Sequence, residues 1–283
     1  MRNYPIYGWV GLGLIGLFWW LNWNLEGLRT HWGFFPLWLG YCLSMDGLVF
    51  LRKRDSLIHR NLKIFLGLFV VSAPVWWLFE LINARTQYWV YTARDQFSDL
   101  EYYSWASLSF STVIPAIFET TELVSTFNWI KTLSSGPRAG RRPQTVTGFF
   151  LSGWLMLAAL LIWPQYTAPF MWVSLFFIFD TANYWLGYPS LIAFTREGDW
   201  KPVVSLWVAS LICGFFWEFW NFYSDPKWLY KIPLVDFWYI FEMPLIGYLG
   251  YLPFALEVFA LYHLLVSATG IGKSSLHLSL FSY

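Results

Sequence analysis

Charged residues are scarce in this chain of 283 residues. Asp, Glu, Lys and Arg make up 12% of it, whereas roughly 25% is usual for a soluble domain. Hydrophobic residues make up 57%, so a soluble protein of this composition would have too little polar surface to cover itself. We therefore predict an integral membrane protein.

Cysteine, histidine and net charge are also low. The chain has two Cys, four His and a formal net charge of +1. Cys42 and Cys213 fall inside apolar segments, where a thiol acts as a small hydrophobic group and implies no disulfide framework. The His residues are scattered without helical spacing, so we predict no metal site and no cofactor. The small net charge gives no reason to expect nucleic acid as a partner.

Long apolar runs are abundant. A helix needs about 20 apolar residues to cross the ~30 Å hydrocarbon core of a bilayer. About eight segments approach this length: residues 4–25, 32–51, 62–84, 103–130, 147–163, 168–188, 202–224 and 244–268. Backbone polar groups must be satisfied within lipid, and strand-like alternation is absent. The predicted fold class is therefore all-α, a polytopic membrane protein with about eight transmembrane helices.

The basic residues indicate the orientation. An even number of spans places both termini on one side, which carries 13 of the 18 Lys and Arg residues, Arg2 and Lys273 among them. The opposite side has the other five, Arg29, Arg85, Arg94, Lys227 and Lys231. Because cytoplasmic loops are enriched in Lys and Arg, we predict a multi-pass protein of the plasma (inner) membrane with both termini in the cytoplasm.

The two halves of the chain resemble each other. Residues 131–147 are polar, basic and rich in Gly and Pro, which predicts a loop between residues 1–137 and residues 138–283. Scarce polar residues recur across this boundary: Glu80, Asn83 and Glu119 match Glu218, Asn221 and Glu257 at an offset of 138, and Asp46 matches Asp180 at 134. Four spans per half predict two parallel four-helix repeats.

The recurring polar residues are the candidate site. Ionisable groups inside membrane helices commonly mark a pathway or a site. The candidate catalytic residues are Glu80, Asn83, Glu119, Glu218, Asn221 and Glu257, with Asp46 and Asp180 in second rank. Each Glu-x-x-Asn pair shares one helix face and could share a hydrogen bond. Pro115 and Pro253 precede Glu119 and Glu257 by four residues and predict kinks. Apolar surroundings favour the uncharged carboxyl, which can donate a proton. The structural alternative is that these groups tie helices together.

Three motifs in the second half follow each other in an order that is similar to that of a known membrane-protein family. Asp180, Trp228-Leu229-Tyr230 and Phe241-Glu242-Met243-Pro244 resemble, in this order, the lycopene-cyclase-domain family of carotenoid cyclase-like membrane proteins. The chain departs from the family's Pro-x-Glu-Glu pattern, because Glu242 precedes Pro244. The resemblance implies acid-catalysed chemistry on an isoprenoid, in which a Glu protonates a C=C bond and aromatic faces stabilise the carbocation. The expected substrate-binding residues are Trp77, Trp217, Trp228, Tyr230 and Glu242.

Three functions remain open from the residues alone. An enzyme acting on a membrane lipid or isoprenoid by acid–base chemistry predicts an aromatic cavity that converges on Glu80, Glu119, Glu218 and Glu257. A non-catalytic lipid- or pigment-binding subunit would assemble with partners in a membrane complex or as a homo-oligomer. It predicts that the Glu–Asn pairs of the two repeats hydrogen-bond to each other across a two-fold axis and leave no cavity. A proton-coupled transporter or channel predicts a continuous polar path.

Overall fold

The structure, a computed structural model, describes residues 3–235 and 237–269. Arg2 and Lys273, which entered the prediction of orientation, lie outside these residues, as does the end of the predicted second repeat. The described chain is mostly helical, with the helices α1 Ile6–Asn24, α2 Thr30–Lys53, α3 Leu57–Thr86, α4 Asp99–Phe110, α5 Val113–Ser125, α6 Asn128–Lys131, α7 Pro143–Ile162, α8 Ser174–Leu186, α9 Leu191–Glu197, α10 Lys201–Phe222 and α11 Tyr251–Ala268. Short 3-10 turns cover Arg94–Gln96, Ala168–Trp172 and Leu245–Gly250.

Two small antiparallel sheets complete the described elements. Strand β1, Trp89–Tyr91, pairs with β2, Trp228–Tyr230. Strand β3, Tyr239–Ile240, pairs with β4, Met243–Pro244. The first sheet joins the two halves of the chain, because β1 follows α3 and β2 follows α10.

The membrane-protein prediction is confirmed at the level of apolar helices. Within residues 3–235 and 237–269, five segments are long and apolar enough to cross a bilayer: Thr30–Lys53, Leu57–Thr86, Pro143–Ile162, Lys201–Phe222 and Leu245–Ala268. The predicted eight continuous spans are not what is observed, since residues 103–130 and 168–188 are each broken. Helix α8 has 13 residues, and at 1.5 Å per residue it is shorter than the ~30 Å hydrocarbon core.

A side chain from α3 accounts for the break inside residues 103–130. In a continuous helix the carbonyl oxygen of Phe110 would accept from the amide of Ile114. Ser72 Oγ lies between them instead, donating to Phe110 O at 2.6 Å and accepting from Ile114 N at 3.0 Å. Pro115 then stands in the first turn of α5, where its missing N–H costs little. The proline therefore marks the start of a helix rather than the predicted kink within one.

Pro253 holds the equivalent place in the second half. It is the third residue of α11, directly after the 3-10 turn Leu245–Gly250. The helix that carries Glu257 thus begins near Tyr251 and contains no proline kink in its interior. Both prolines thus lie just after an interruption of the regular α-helix, at residues 111–112 and at Leu245–Gly250. The predicted disturbance takes the form of a helix boundary.

Close backbone contact sets the first helix pair of each half. A Cβ atom on Gly11 of α1 would lie 2.6 Å from the carbonyl oxygen of Gly40 on α2. On α7, a Cβ atom at Gly153 would lie 2.8 Å from the carbonyl oxygen of Ser174 on α8. Glycine is needed at both places because any side chain would push the helices apart.

Equivalent aspartates anchor the start of the next helix. Asp46 on α2 accepts from the amide of Ile58 at 2.9 Å. Asp180 on α8 accepts from the amides of Leu191 and Ile192, both at 2.8 Å. These bonds satisfy first-turn N–H groups of α3 and α9, which have no partner within their own helices. Asp46 and Asp180 therefore tie one helix to the start of the next, as in the alternative to a catalytic role.

The centre of the bundle is formed by α5 and α11. Helix α5 packs against α2, α3 and α10, while α11 packs against α8, α10 and α3. Phe118 of α5 contacts Tyr262 of α11 with ring centroids 5.1 Å apart. Glu119 and Glu257 lie on these central helices and are buried.

Candidate functional site

An aromatic cavity lies beside the β1–β2 sheet. Its volume is about 560 Å³, within the range of roughly 300–1,000 Å³ that is usual for ligand sites. Ring side chains dominate the wall, including Trp76, Trp89, Tyr91, Tyr102, Trp105, Trp172, Trp217, Trp228, Tyr230, Tyr251 and Phe254. Such a wall suits an apolar ligand.

The carboxyl group of Glu80 lies behind one part of this wall. Its Oε1 atom accepts from Trp76 Nε1 at 3.0 Å, from Trp89 Nε1 at 2.9 Å and from the Tyr91 hydroxyl at 2.6 Å. All three donors belong to cavity-lining rings. The carboxyl group thus fixes the orientation of three aromatic side chains.

Glu218 holds the corresponding place in the second half. Its Oε1 atom accepts from the hydroxyls of Tyr230 at 2.8 Å and Tyr251 at 2.6 Å, and Trp228 Nε1 donates to the Tyr230 hydroxyl at 3.1 Å. Its Oε2 atom has no hydrogen-bond partner within the described part of the chain. Two Tyr–Glu units, one from each half, therefore adjoin the same cavity.

Each asparagine fixes a strand of the sheet. Asn83 donates to the carbonyl oxygen of Trp89 at 2.9 Å and accepts from its amide at 3.3 Å. Asn221 makes the same two bonds to Trp228, at 2.8 and 3.1 Å. The asparagines therefore hold the strands that carry the cavity-lining Trp and Tyr residues, rather than bonding to each other across an axis.

The phenols that join the carboxyl groups to the cavity remain protonated. Burial and the neighbouring Glu80 raise the pKa of the Tyr91 hydroxyl well above its ordinary value. Burial and Glu218 do the same to the pKa of Tyr230. Each hydroxyl therefore keeps its proton and donates it to a carboxyl oxygen.

Of the five residues predicted to bind substrate, three line the cavity and two do not. Trp217, Trp228 and Tyr230 line the cavity, whereas Trp77 is not among its lining residues and donates through Nε1 to Ser107 Oγ at 2.9 Å. Glu242 does not line the cavity either and forms an ion pair with Lys227.

The remaining predicted acids lie away from the cavity wall. Neither carboxyl oxygen of Glu119 has a hydrogen-bond partner among the described residues. Glu257 Oε1 accepts from the amide of Leu175 at 3.1 Å, near the start of α8. Asp46 and Asp180 bond to helix starts, as described above, and Asp46 also accepts from the Tyr7 hydroxyl at 2.6 Å. The structure thus brings only Glu80 and Glu218, of the six acids, to the edge of the cavity.

Trp76, Trp89, Tyr91 and Tyr251 are site residues that the sequence analysis missed. A signal for two of them was present, because Trp89-Val90-Tyr91 repeats the Trp-x-Tyr of residues 228–230 at an offset of 139. Trp76 lies one residue before the tryptophan that was selected. Nothing in the local sequence marks Tyr251 among the 17 tyrosines.

Among residues 3–235 and 237–269, no group of three or more His, Cys, Asp and Glu side chains is placed to hold a metal ion. No family model matches the chain, and neither does any curated protein or solved structure. The resemblance to lycopene-cyclase-domain proteins therefore stays a prediction.

Proposed function

We propose that this protein is a multi-pass enzyme of the plasma (inner) membrane that binds an isoprenoid-like lipid and acts on it by acid–base chemistry. One observation carries the proposal. Two Tyr–Glu units, Tyr91–Glu80 and Tyr230–Glu218, adjoin a single aromatic cavity from the two halves of the chain. An apolar cavity with a few convergent polar groups is the usual form of a small-molecule site.

The pairing of β1 with β2 supports the proposed pair of parallel repeats. Trp89 pairs with Tyr230, Val90 with Leu229 and Tyr91 with Trp228. This register is unchanged when the two strands are exchanged, as a two-fold axis between Val90 and Leu229 requires. Parallel repeats of four helices each, with cytoplasmic termini, would place such an axis along the membrane normal.

Two acid–base units suit an isomerisation or cyclisation. In each unit the tyrosine hydroxyl would exchange the proton with the lipid, because it stands between the carboxyl group and the cavity. One hydroxyl would give its proton to a C=C bond and take another from its carboxyl group, which forms a C–H bond and leaves a carbocation. The other unit would take a proton from a neighbouring carbon, and the electrons of that C–H bond would form the new C=C bond. Proton donation and removal balance in the lipid, and proton exchange with water would restore both units before the next turnover, so the reaction needs no other co-reactant. The surrounding indole and phenol rings would stabilise the cation through their faces.

One observation favours a second function, a non-catalytic lipid- or pigment-binding subunit. Glu80 and Glu218 are not themselves lining residues, since Trp and Tyr side chains stand between them and the cavity. In this function the carboxyl groups would only hold the rings in place.

The test separates conversion from binding. Purified protein in nanodiscs is incubated with a polyunsaturated isoprenoid, binding is followed by quenching of Trp fluorescence, and products are measured by mass spectrometry. We expect Glu80→Gln and Glu218→Gln to abolish the product while binding persists, because the amide keeps an acceptor oxygen but supplies no proton. Glu26→Gln, at an exposed position, is the matched control and should keep full activity. Binding without conversion by the wild-type protein would favour the non-catalytic function, and absence of binding would refute both.

A further inference from the structure

The charged side chains on the cavity wall are all of one sign. Arg94 and Lys227 line the cavity, and no Asp or Glu is among its described lining residues. Their side chains are 37% and 26% exposed, whereas rings such as Trp89 and Phe254 are buried. The two cations therefore lie where the cavity reaches the surface, and the buried rings such as Trp89 and Phe254 lie deeper.

Backbone bonds hold the two cations at one edge of the cavity. The amide of Thr92 donates to the carbonyl oxygen of Lys227 at 2.8 Å, and the amide of Lys227 donates to Thr92 Oγ1 at 2.8 Å. Lys227 thus lies beside Thr92, two residues before Arg94. The Arg94 guanidinium is 4.1 Å from the ring centroid of Tyr102, another lining residue. The β1–β2 sheet fixes this edge, because Lys227 directly precedes β2 and Arg94 follows the end of β1 by three residues.

The exposed partner of Arg94 can be replaced. The Lys227 ammonium group donates to Glu242 and to the carbonyl oxygen of Phe222, which leaves its third N–H for a ligand. Arg94 pairs with Asp99, whose side chain is 82% exposed. Lys227 pairs with Glu242, which is 21% exposed and outside the cavity wall. Exposed ion pairs contribute little, so a ligand anion can compete for Arg94 at small cost. A phosphate group can accept two parallel bonds from a guanidinium and one from an ammonium group.

We propose that the ligand of this cavity is an amphiphile with an anionic head of the phosphate type. The head binds to Arg94 and Lys227, and the apolar chain lies among the aromatic rings behind them. The proposal rests on the proposed function, namely that the cavity binds an isoprenoid-like lipid. It adds the class of head group, which distinguishes this ligand from a neutral hydrocarbon.

The test compares two probes that differ only in the head group. Geranylgeranyl phosphate and geranylgeraniol are titrated into the full-length protein in nanodiscs of neutral lipid, and binding is followed by Trp fluorescence. We expect the phosphate to bind at least about tenfold more tightly, as for charge-assisted hydrogen bonds. Arg94→Gln and Lys227→Gln should each remove most of this difference and leave binding of the alcohol unchanged. Inorganic phosphate at the same concentration should neither quench the fluorescence nor displace the probe.

Matched variants exclude a general effect of surface charge. Arg85→Gln and Lys231→Gln remove exposed cations that do not line the cavity, and they should keep the preference for phosphate. Glu242→Gln frees Lys227 and should tighten binding of the phosphate probe a few-fold. Retention of the alcohol affinity shows that a variant is folded.

The outcomes separate this proposal from the proposed function. Equal affinity for both probes would overturn the anionic head group while the lipid-binding function stands. Equal losses in Arg85→Gln and Arg94→Gln would also overturn it. If neither probe binds, the proposed function itself fails. If inorganic phosphate competes as well as the lipid phosphate, the ligand is a free anion rather than an amphiphile.

Discussion

Substitution of Arg60 should lower the free energy of unfolding far more than neutralisation of its partner Glu122. Arg60 on α3 donates to both carboxyl oxygens of Glu122 on α5, at 2.8 and 2.6 Å. The Glu122 side chain is 3% exposed, while Arg60 is 31% exposed and also bonds to Asp55 at 2.8 Å. Loss of Arg60 therefore leaves a buried carboxylate, whereas loss of Glu122 leaves a partly exposed guanidinium that still pairs with Asp55.

The magnitudes follow from this asymmetry. Arg60→Met leaves a buried carboxylate without its guanidinium, which costs about 3–5 kcal/mol in comparable sites. Lys53 Nζ lies 3.8 Å from Glu122 Oε1, so we expect a loss near the lower end, about 3 kcal/mol. Glu122→Gln leaves Arg60 with Asp55 and access to water, so its expected cost is about 1 kcal/mol.

The free energy of unfolding is measured in mixed micelles of a mild and a denaturing detergent, with helix content followed by circular dichroism. The double variant Arg60→Met/Glu122→Met should be more stable than Arg60→Met alone, because no buried charge remains. A cost for Arg60→Met no larger than that for Glu122→Gln would refute the argument that the buried carboxylate depends on its guanidinium.

Two further predictions concern helix contact and the sheet. Gly11→Ala should lower the free energy of unfolding by about 1–3 kcal/mol, since its methyl group would meet the backbone of α2. Gly13→Ala, which has open space around it, should be neutral or stabilising by up to about 1 kcal/mol; equal losses would contradict this packing. Asn83→Ala removes both side-chain bonds to the backbone of Trp89, at about 2 kcal/mol, and Asn221→Ala should cost the same. In both asparagine variants, the isoprenoid probe should quench the Trp fluorescence less than it does in the wild-type protein. Unchanged quenching would show that binding in the cavity does not depend on the β1–β2 sheet.

The composition was sufficient to predict a helical membrane protein, because apolar length and scarce charge are properties of each segment alone. Helix continuity was only partly predictable, because Pro115 and Pro253 indicated an interruption but not whether it would be a kink or a helix boundary. The break before α5 depends on Ser72, which lies 38 residues before Phe110 in the chain. Whether an apolar stretch is one helix or two can therefore be decided by a hydroxyl group from another helix.

The candidate site was only partly predictable, for a similar reason. Glu80 and Glu218 were found because a carboxyl group in an apolar helix is costly and so stands out in sequence. Glu119 and Glu257 stood out equally, yet the structure places them away from the cavity. Tyr251 was missed because a tyrosine in an aromatic-rich chain carries no signal of its own.

The apolar helices and the pairs of polar residues that the two halves share were predictable, because both depend on residue type and spacing along one chain. Which acids border the cavity, what the asparagines hold and which cations line the wall became evident from the folded chain. The cavity depends on contacts between segments more than 100 residues apart, such as Thr92 with Lys227, whereas each asparagine bonds to a strand residue only 6 or 7 positions further along the chain. Neither kind of contact follows a helical or strand period, so no sequence pattern indicates it.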